Sequence, residues 1–364
     1  MTTHAILTGD SSRIGAVPDG SVQLVFTSPP YPMIEMWDGM FASQDRRIAE
    51  DLANGRGTVA FERMHSLLDA VWSECDRVLA DNGFICINIG DATRTVDDEF
   101  CLYPNHVRIV DYFLGKGYSV LPDILWRKPS NAPNKFMGSG MFPAGAYVTY
   151  EHEYILVFRK GGKRSFKGRQ RELRKKSAFF WEERNVWFSD LWEIKGTSQS
   201  IKIDNGGRDR NASFPFAIPY RIVNMYSAEG DTVLDPFAGL GTTNLACMVA
   251  NRNSIGVEID PSIAKAAVEN LQVPVKELNR VIDGRLRRHC EFIESLNEEK
   301  RAKCYFCPAH QFLVKTRQET GIRIERLSSV RMRGNTVVCT YADNEKRYAV
   351  PRAQDDGHLQ AACF

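Results

Sequence analysis

The chain has 364 residues, of which 43% are hydrophobic and 25% are charged, and its formal net charge at pH 7 is +2. This composition is ordinary for a soluble globular protein, and the length suffices for two domains or for one large domain with additions. We find no apolar run long enough to span a bilayer and no signal-peptide pattern, which disfavours a membrane protein. The nine cysteines lie mostly in apolar segments, so we expect reduced thiols and a cytoplasmic protein.

Two short strands are predicted at the start of the chain. Residues 5–7 form an apolar strand that ends near Asp10, and residues 12–17 are predicted to form a short helix. Residues 22–26 are a buried strand because β-branched and aromatic residues dominate them. Two prolines then end this strand, since proline cannot donate a ladder hydrogen bond. The sequence TSPPY, residues 27–31, therefore lies at the carboxyl end of a strand, where open α/β sheets bind ligands.

This TSPPY corner suits a planar base that carries an exocyclic amine. The Ser28 hydroxyl and the Pro29 carbonyl can accept both amine hydrogens, Pro30 keeps the corner stiff, and the ring of Tyr31 can stack on the base. Such hydrogen bonds would pyramidalise the nitrogen and free its lone pair for attack on a methyl donor. An ordinary strand-ending turn fits the same five residues equally well, so the interpretation depends on the rest of the chain.

The middle of the chain alternates between helices and strands. Residues 33–58 are polar with scattered aromatics and predict an irregular, mobile loop over the TSPPY corner. Helical spacing of apolar residues follows at 59–79 and at 104–116. Strands are predicted at 84–89, 123–128 and 154–158, with 81–83 closing the first of these helices. The alternation predicts an α/β fold with a mostly parallel sheet.

A glycine-rich turn marks the second half. A strand at 232–235 runs into Gly239 and Gly241, which let backbone approach a ligand, and then into a helix with free amides at its start. Glu258 follows about twenty residues later, a position suited to binding ribose hydroxyls. The turn lacks the third glycine of a pyrophosphate-binding fingerprint, and Asp235 would repel phosphates. A cationic, phosphate-free nucleoside such as S-adenosylmethionine fits better than a nicotinamide dinucleotide.

Together these motifs resemble those of the S-adenosylmethionine-dependent DNA amino-methyltransferases of the permuted β class, in which the catalytic motif precedes the cofactor motif. TSPPY resembles the catalytic tetrapeptide of that family (D/N/S-P-P-Y/F), and DPFAGLGTT resembles its F-x-G-x-G motif. The resemblance covers roughly residues 5–275. It implies a Rossmann-like methyltransferase fold and a flipped-out target base. Serine in the first motif position resembles the cytosine-N4 branch; adenine-N6 is the alternative.

The resemblance also implies site residues and partners. Double-stranded DNA is the expected substrate, in a bacterial or phage restriction–modification setting with a cognate endonuclease but without a stable complex. The target base would be held by Ser28, Pro29, Pro30 and Tyr31. Cofactor contacts would come from Asp10, Phe214, Pro215, Asp235, Pro236, Phe237, Gly239, Gly241, Thr242 and Glu258.

Four other protein classes fit parts of the pattern less well. An oxidoreductase is disfavoured by the missing third glycine, and a non-catalytic DNA-binding relative by the presence of both motifs. RNA or protein methyltransferases with a similar tetrapeptide usually carry the cofactor motif first. A cytosine-C5 enzyme would need a cysteine nucleophile after the proline, whereas Pro29 is followed by Pro30.

A basic tract lies between the two motif-bearing halves, where this family order places its recognition insert. Residues 159–176 are rich in lysine and arginine and hold a single acid, Glu172. A charge run is usually a solvated face, but this position favours contact with DNA phosphates. Residues 131–150, rich in glycine, proline and asparagine, are predicted as a second contact loop. The predicted DNA-binding residues are Lys163, Arg164, Lys167, Arg169, Arg171, Arg174, Lys175 and Lys176.

The motif order divides the chain into four segments: a catalytic half (1–130), a recognition insert (131–195), a cofactor half (196–275) and a C-terminal part (276–364). The last of these predicts a charged helix and then a small appended β unit with a hairpin turn at 333–335. DNA contact and plain packing fit this unit equally. Cys304, Cys307 and His310 lack a fourth ligand at a usual spacing, so we expect no metal there.

Overall fold

A computed structural model describes residues 1–128, 137–195 and 214–344, and a ten-stranded sheet organises them. Three two-stranded ribbons, β4–β5, β7–β8 and β13–β14, accompany this main sheet. The strands are β1 (Thr2–Thr8), β2 (Val22–Thr27), β3 (Leu79–Ile89), β4 (Ala92–Val96), β5 (Glu99–Tyr103), β6 (Ser119–Arg127), β7 (Met137–Gly138), β8 (Ala146–Tyr147), β9 (His152–Arg159), β10 (Leu191–Glu193), β11 (Thr232–Asp235), β12 (Asn253–Glu258), β13 (Tyr305–Cys307), β14 (Phe312–Val314), β15 (Arg326–Arg333) and β16 (Thr336–Ala342).

The strand order of the main sheet is β10-β6-β9-β3-β2-β11-β12-β1-β16-β15. The five central strands, from β3 to β1, pair in parallel. Antiparallel pairing enters at β9, between β3 and β6, and at β16, between β1 and β15. The sheet is therefore mixed but mostly parallel, and with its helices it gives the expected Rossmann-like α/β fold.

Helices cover both faces of the main sheet, because successive side chains of a strand point to opposite faces. In β2, Leu24 and Phe26 belong to one core cluster and Val25 to the other. In the described ranges, no helix combines the length and the apolar character of a membrane span. The helices are α1 (Asp38–Gln44), α2 (Arg47–Ala53), α3 (Gly57–Val78), α4 (Asn105–Gly115), α5 (Arg169–Lys176), α6 (Trp181–Trp187), α7 (Ala217–Tyr226), α8 (Thr242–Val249), α9 (Pro261–Asn270), α10 (Val275–Ser295) and α11 (Glu298–Ala302), with 3₁₀ turns at Glu35–Trp37 and Arg317–Gly321.

A topological switch point lies at the centre of the sheet, where β2 and β11 are neighbours. The strand that follows β2 in the chain, β3, pairs on one side, and the strand that follows β11, β12, pairs on the other. Connections that leave two adjacent strands in opposite directions open a crevice beyond their carboxyl ends. The fold thus brings the two sequence motifs, which are about 200 residues apart, to one crevice.

The predicted mobile loop at 33–58 is wrong, because the structure folds this segment into a 3₁₀ turn, α1, α2 and the start of α3. Met33, Phe41 and Ile48 are buried in the core that contains α3. Helices α1 and α2 have seven residues each, which is too few to show helical periodicity, and tertiary burial rather than local sequence stabilises them. The segment does border the site, but as packed helices.

Two further local predictions need correction. Residues 12–17 form turns instead of a helix, and Arg77 donates hydrogen bonds to the Ile14 and Val17 carbonyls at 3.0 and 3.1 Å. These bonds satisfy carbonyls that a helix would otherwise have to pair. Residues 81–83 do not close a helix; α3 ends at Val78 and these residues already belong to β3.

The C-terminal β unit is not a separate appendage of the sheet. The turn at Gly334 joins β15 and β16, as predicted, and β16 then pairs with β1. This pairing covers the edge of β1 that would otherwise be exposed. Strands of the main sheet come from all four predicted segments, so those segments do not correspond to separate sheets.

Candidate active site

A cavity of about 430 Å³ opens at the carboxyl edge of the sheet, above β2 and β11. Both predicted motifs line it, together with side chains from the helical segment 34–44. Three predicted cofactor residues, Pro215, Asp235 and Gly241, are not among its lining residues. The predicted residues that line the cavity are Asp10, Ser28, Pro29, Pro30, Tyr31, Phe214, Pro236, Phe237, Gly239, Thr242 and Glu258.

The TSPPY corner is part of a hydrogen-bond network that joins three strands of the sheet. The Tyr31 hydroxyl, just beyond β2, lies 3.0 Å from Ser28 Oγ and donates to Glu153 Oε2 on β9 at 2.9 Å. Asn88, at the end of β3, donates to Glu153 Oε2 at 2.7 Å and to the Tyr31 hydroxyl at 2.8 Å. Burial, together with the negative charge of Glu153, raises the pKa of Tyr31 well above its usual value. Tyr31 therefore stays a neutral phenol at physiological pH.

Lys128 closes this network on the β6 side. Its ammonium pairs with Glu153 and lies 4.4 Å from the centroid of the Trp126 ring. The cation balances the carboxylate charge at the cavity wall, and the indole face adds a favourable cation–π contact. Both oxygens of the Glu153 carboxylate therefore have partners: Oε2 accepts from Tyr31 and Asn88, and Oε1 pairs with Lys128.

The cavity is also lined by Asn88, Glu153 and Lys128, which no sequence motif predicted. Asn88 carried a signal, since it is a polar residue inside the apolar strand sequence Ile87-Asn88-Ile89 and is only 1% exposed. No sequence feature indicated Glu153, because an acidic residue at the start of a strand does not reveal which residues lie beside it in the fold. Its place at the site depends on β9 running antiparallel to β3.

Glu258 holds the glycine-rich turn at the other end of the cavity. Its Oε2 accepts from the Gly239 backbone N–H at 3.1 Å, and its Oε1 accepts from the Asp260 N–H at 2.9 Å. Each carboxylate oxygen has a further lone pair for a ligand hydroxyl. Burial raises the pKa of Glu258 above its usual value.

Asp235 connects the two motifs instead of lining the cavity. Its carboxylate accepts from Thr27 Oγ1 on β2 and from Thr243 Oγ1 on α8, both at 2.6 Å, and from the Phe237 N–H at 3.1 Å. The residue is 1% exposed, and this burial raises its pKa to about 6. Asp235 therefore fixes the glycine-rich turn relative to β2, the strand that Ser28 follows.

The raised pKa of Asp235 predicts a pH-dependent stability. The folded carboxyl, with a pKa of about 6, keeps its proton between pH 4 and 6, where the unfolded carboxyl releases it. Its stabilising contribution is therefore complete below pH 4 and is lost as the pH rises through 6. The Asp235→Asn variant has no ionisable carboxyl at this position, so its stability lacks this pH-dependent contribution. Urea unfolding of both proteins should show wild type losing up to about 3 kcal/mol relative to the variant between pH 4 and 7; a pH-independent difference would contradict this.

The cofactor end of the cavity fits a phosphate-free nucleoside. Asp10 and Glu258 supply carboxylates for hydroxyl groups, while Phe237, Ile259 and Ile263 supply apolar contacts for a base. Among the lining residues, the only cation is Lys128, and it is paired with Glu153. Acids at the turn would repel a pyrophosphate and would suit a cation.

The basic tract does not reach this site. Strand β9 begins at the cavity and, because it is antiparallel, ends with Arg159 beside Phe84 at the amino edge of the sheet. The tract then follows that opposite edge, where Arg164 pairs with Asp231 just before β11. Lys176 of the same tract is half-buried, and the other predicted DNA-binding residues of the tract are exposed: Lys163, Lys167, Arg169, Arg171, Arg174 and Lys175.

The cysteine–histidine cluster of the C-terminal part is engaged in local hydrogen bonds. Buried Cys307 contacts the Ile322 carbonyl at 3.5 Å, and His310 Nε2 accepts from the Ile324 N–H at 3.0 Å. Within the described ranges, no three His, Cys, Asp or Glu side chains are grouped so as to bind a metal.

Comparisons with known proteins agree with this geometry. A family model described as DNA methylase matches residues 22–269. The chain is 49% identical to the Type II methyltransferase M.MthZI of Methanothermobacter thermautotrophicus over 326 residues, which are 89% of this chain and 90% of that one. It is 47% identical to the Type II methyltransferase M.MjaI of Methanocaldococcus jannaschii over 289 residues, which are 76% and 94% of the two chains.

A solved structure shares the fold. TTHA0409 of Thermus thermophilus, crystallised with S-adenosyl-L-methionine, aligns with a TM-score of 0.57 and 30% identity over 73% of this chain and 92% of that one. The family match extends from the strand before the catalytic corner to the helix after Glu258, and so includes both halves of the cavity. The chain therefore belongs to the N6/N4 DNA methylase family.

Proposed function

We propose that this DNA methyltransferase transfers the methyl group of S-adenosylmethionine to the N4 amine of a cytosine flipped out of double-stranded DNA. The observation that carries the proposal is the shared cavity, in which the Ser28–Pro29 acceptors lie opposite the glycine-rich turn and Glu258. We further propose that it modifies one short sequence in the cytoplasm, as the partner of an endonuclease of the same specificity.

The cofactor would occupy the half of the cavity formed by the turn. Glu258 would accept hydrogen bonds from the ribose, Asp10 and Phe237 would contact the adenine end, and Phe214 would border the methionine end. When bound, S-adenosylmethionine supplies a methyl group on a positively charged sulfur. Asp235 would keep this half in register with the catalytic corner through Thr27 and Thr243.

The target amine would be activated by hydrogen bonds. An exocyclic amine is a poor nucleophile because its lone pair is delocalised into the ring. Ser28 Oγ and the Pro29 carbonyl would accept its two hydrogens and draw the nitrogen toward a pyramidal geometry, while Tyr31 holds the ring plane. Bringing the base out of the helix costs a few kcal/mol, which contacts in the pocket must offset.

Two features support cytosine over adenine. Ser28 occupies the first motif position as in the cytosine-N4 branch. Lys128 also offers donor hydrogens beyond the one it gives to Glu153, and cytosine carries both a ring nitrogen and a carbonyl oxygen beside its amine. Adenine carries a C–H at the position of that carbonyl and so offers this donor only its ring nitrogen. Adenine-N6 is the alternative product.

The DNA would approach the carboxyl edge of the sheet. Ribbon β4–β5 follows the end of β3 at this edge, and ribbon β7–β8 lies in the chain between the end of β6 and the start of β9, which are both at this edge. The rings of Phe100 and Tyr147 stack at 4.6 Å and join the two ribbons. Phe142, 76% exposed, lies between β7 and β8 and is available to contact bases or sugars. The neighbouring part of the predicted contact loop, 131–136, lies outside the described residues.

The basic tract is proposed to add sequence-independent affinity from the opposite edge. Arg171 and Lys175 are exposed and one helical turn apart on α5. Replacing both with glutamine should lower the slope of log affinity against log salt by about 2 on long DNA, because each phosphate contact contributes about 0.9. The modified base and sequence should not change, since the tract is remote from Ser28. Filter binding at several salt concentrations tests this, and an unaltered slope would remove the tract from the DNA interface.

Nucleoside analysis tests the proposed chemistry. The purified protein is incubated with S-adenosylmethionine and genomic DNA from a host without DNA methylation, and the digested nucleosides are separated by mass spectrometry against standards. The proposal predicts N4-methylcytosine. N6-methyladenine would establish the alternative, and C5-methylcytosine would contradict amine methylation.

A further inference from the structure

The hydrogen bonds of the catalytic corner have a single direction. Tyrosine has one hydroxyl proton, and Tyr31 donates it to Glu153 Oε2 at 2.9 Å. The Ser28 hydroxyl, 3.0 Å away, must therefore donate its own proton to the Tyr31 oxygen. This leaves Ser28 Oγ free to accept a hydrogen from the target amine. The chain of donors thus runs from Ser28 through Tyr31 to Glu153.

Asn88 holds this order in place. Its two amide hydrogens are donated to Glu153 Oε2 at 2.7 Å and to the Tyr31 hydroxyl at 2.8 Å, and Ser28 Oγ lies 3.3 Å from the same nitrogen. An amide nitrogen can donate but cannot accept, so Asn88 fixes the Glu153 and Tyr31 oxygens without receiving a proton. One amide hydrogen of Asn88 and the hydroxyl hydrogen of Ser28 are therefore both donated to the Tyr31 oxygen, and they occupy its two lone pairs.

Methylation of an amine leaves one proton to remove. The N–C bond forms as the S–C bond breaks, and the electron pair of that bond goes to sulfur, so the nitrogen becomes positive unless it loses a hydrogen. The acceptors proposed to contact the amine are Ser28 Oγ and the Pro29 carbonyl, and neither can keep an additional proton at neutral pH. A base further along must receive it.

We propose, on the basis of the proposed amine methylation, that Glu153 receives this proton through a relay of the Ser28 and Tyr31 hydroxyls. The amine proton passes to Ser28 Oγ as the Ser28 proton passes to Tyr31 and the Tyr31 proton passes to Glu153. The nitrogen loses its positive charge and the carboxylate becomes a neutral acid, so atoms and charge balance. Glu153 acts through Tyr31, as a positioning residue and terminal acceptor, without contact with the base.

The surroundings of Glu153 suit this role. The raised pKa of Tyr31 means that a tyrosinate does not accumulate, so both hydroxyls pass protons without storing charge. Among the described residues, the Glu153 carboxylate accepts from Tyr31 and Asn88 and pairs with Lys128. The Lys128 side chain is 42% exposed, which gives the carboxyl group a route for returning the proton to water between turnovers.

Single-turnover methylation tests the relay. Glu153→Gln keeps an acceptor for the Tyr31 hydroxyl but cannot take up a proton. With protein in excess over unmethylated genomic DNA and labelled S-adenosylmethionine, its methyl-transfer rate should fall about 100-fold. Calorimetric affinity for S-adenosylmethionine and filter-binding affinity for DNA should stay within about threefold. Glu153→Asp, which retains a carboxylate, should recover part of the rate. Glu151→Gln, a change at a more exposed neighbouring acid that pairs with Arg127, is the matched control and should behave as wild type.

A double variant separates a relay from independent contacts. Tyr31→Phe removes the middle hydroxyl and keeps the ring. If the hydroxyls and Glu153 act as one unit, Tyr31→Phe with Glu153→Gln should be no slower than the slower single variant. A wild-type rate in Glu153→Gln, or multiplicative losses in the double variant, would overturn the relay. Absence of methylation by wild type itself would instead reject the proposed function.

Discussion

Replacing Ser28 with alanine is expected to slow single-turnover methyl transfer by about 100- to 1,000-fold. The change removes an acceptor for the target amine and the first hydroxyl of the chain that leads to Glu153. Affinity for S-adenosylmethionine should stay within about threefold, because the contacts proposed for the cofactor lie at Glu258 and the glycine-rich turn. Rapid-quench measurement of methyl incorporation, together with calorimetry of cofactor binding, checks both halves of this result.

Ser21→Ala provides the matched control for the Ser28 variant. Ser21 precedes β2 at the opposite edge of the sheet and its hydroxyl donates to the Pro18 carbonyl at 2.7 Å. This variant should methylate DNA as wild type does. An undiminished rate in Ser28→Ala would show that amine activation does not depend on the serine hydroxyl, and the mechanism would be wrong.

Replacing Glu258 with glutamine is expected to have the opposite pattern. Affinity for S-adenosylmethionine should fall about 10- to 100-fold, since charge-assisted hydrogen bonds contribute about 1.5–3 kcal/mol each. The amide would also set an NH₂ group against one of the two backbone N–H groups, of Gly239 and Asp260, that now donate to the carboxylate. At saturating cofactor, the rate of methyl transfer should recover to near that of wild type.

Calorimetry of cofactor binding measures the effect of Glu258→Gln. Glu269→Gln, an exposed acid on α9, is the control and should bind the cofactor normally. If Glu258→Gln bound S-adenosylmethionine with unchanged affinity, Glu258 would only stabilise the glycine-rich turn, and the proposed contact with the ribose would be wrong.

Contiguous motifs made half of the site predictable from sequence. Ser28 through Tyr31 follow a strand directly, and a strand end fixes where they lie. The glycine-rich turn and Glu258 belong to one βα unit, whose spacing is local. Parallel strands place all such carboxyl ends at one edge, so the two motifs had to meet even though the chain separates them.

The remaining parts of the site depend on strand direction, which the sequence does not reveal. Glu153 reaches Tyr31 because β9 runs antiparallel to β3 and therefore begins at the cavity. The same reversal makes β9 end at the amino edge and carries the basic tract away from the site. The basic tract lies between the two motif-bearing halves in the sequence, and that position is compatible with either the amino or the carboxyl edge of the sheet. Its location in the fold could therefore not be derived from the sequence.

Asp235 shows that a motif residue can have structural contacts that its place in the sequence does not predict. The expectation that it contacts the cofactor followed from its place before the turn. In the structure both of its oxygens are occupied by hydroxyls from β2 and α8, which makes it a connection between the two motifs. A buried carboxylate needs such partners, and threonines 208 residues and 8 residues away in sequence supply them.

The most direct test of the central claim is a map of modified bases. The protein is expressed in a host that lacks DNA methylation, and the genomic DNA is read by single-molecule sequencing, with the Ser28→Ala protein as the comparison. We expect N4-methylcytosine at nearly every copy of one short sequence in the wild-type strain, and none in the comparison strain. Unmodified DNA from cells that contain folded, cofactor-binding wild-type protein would contradict DNA as the substrate, and equal modification in both strains would contradict the catalytic role of Ser28.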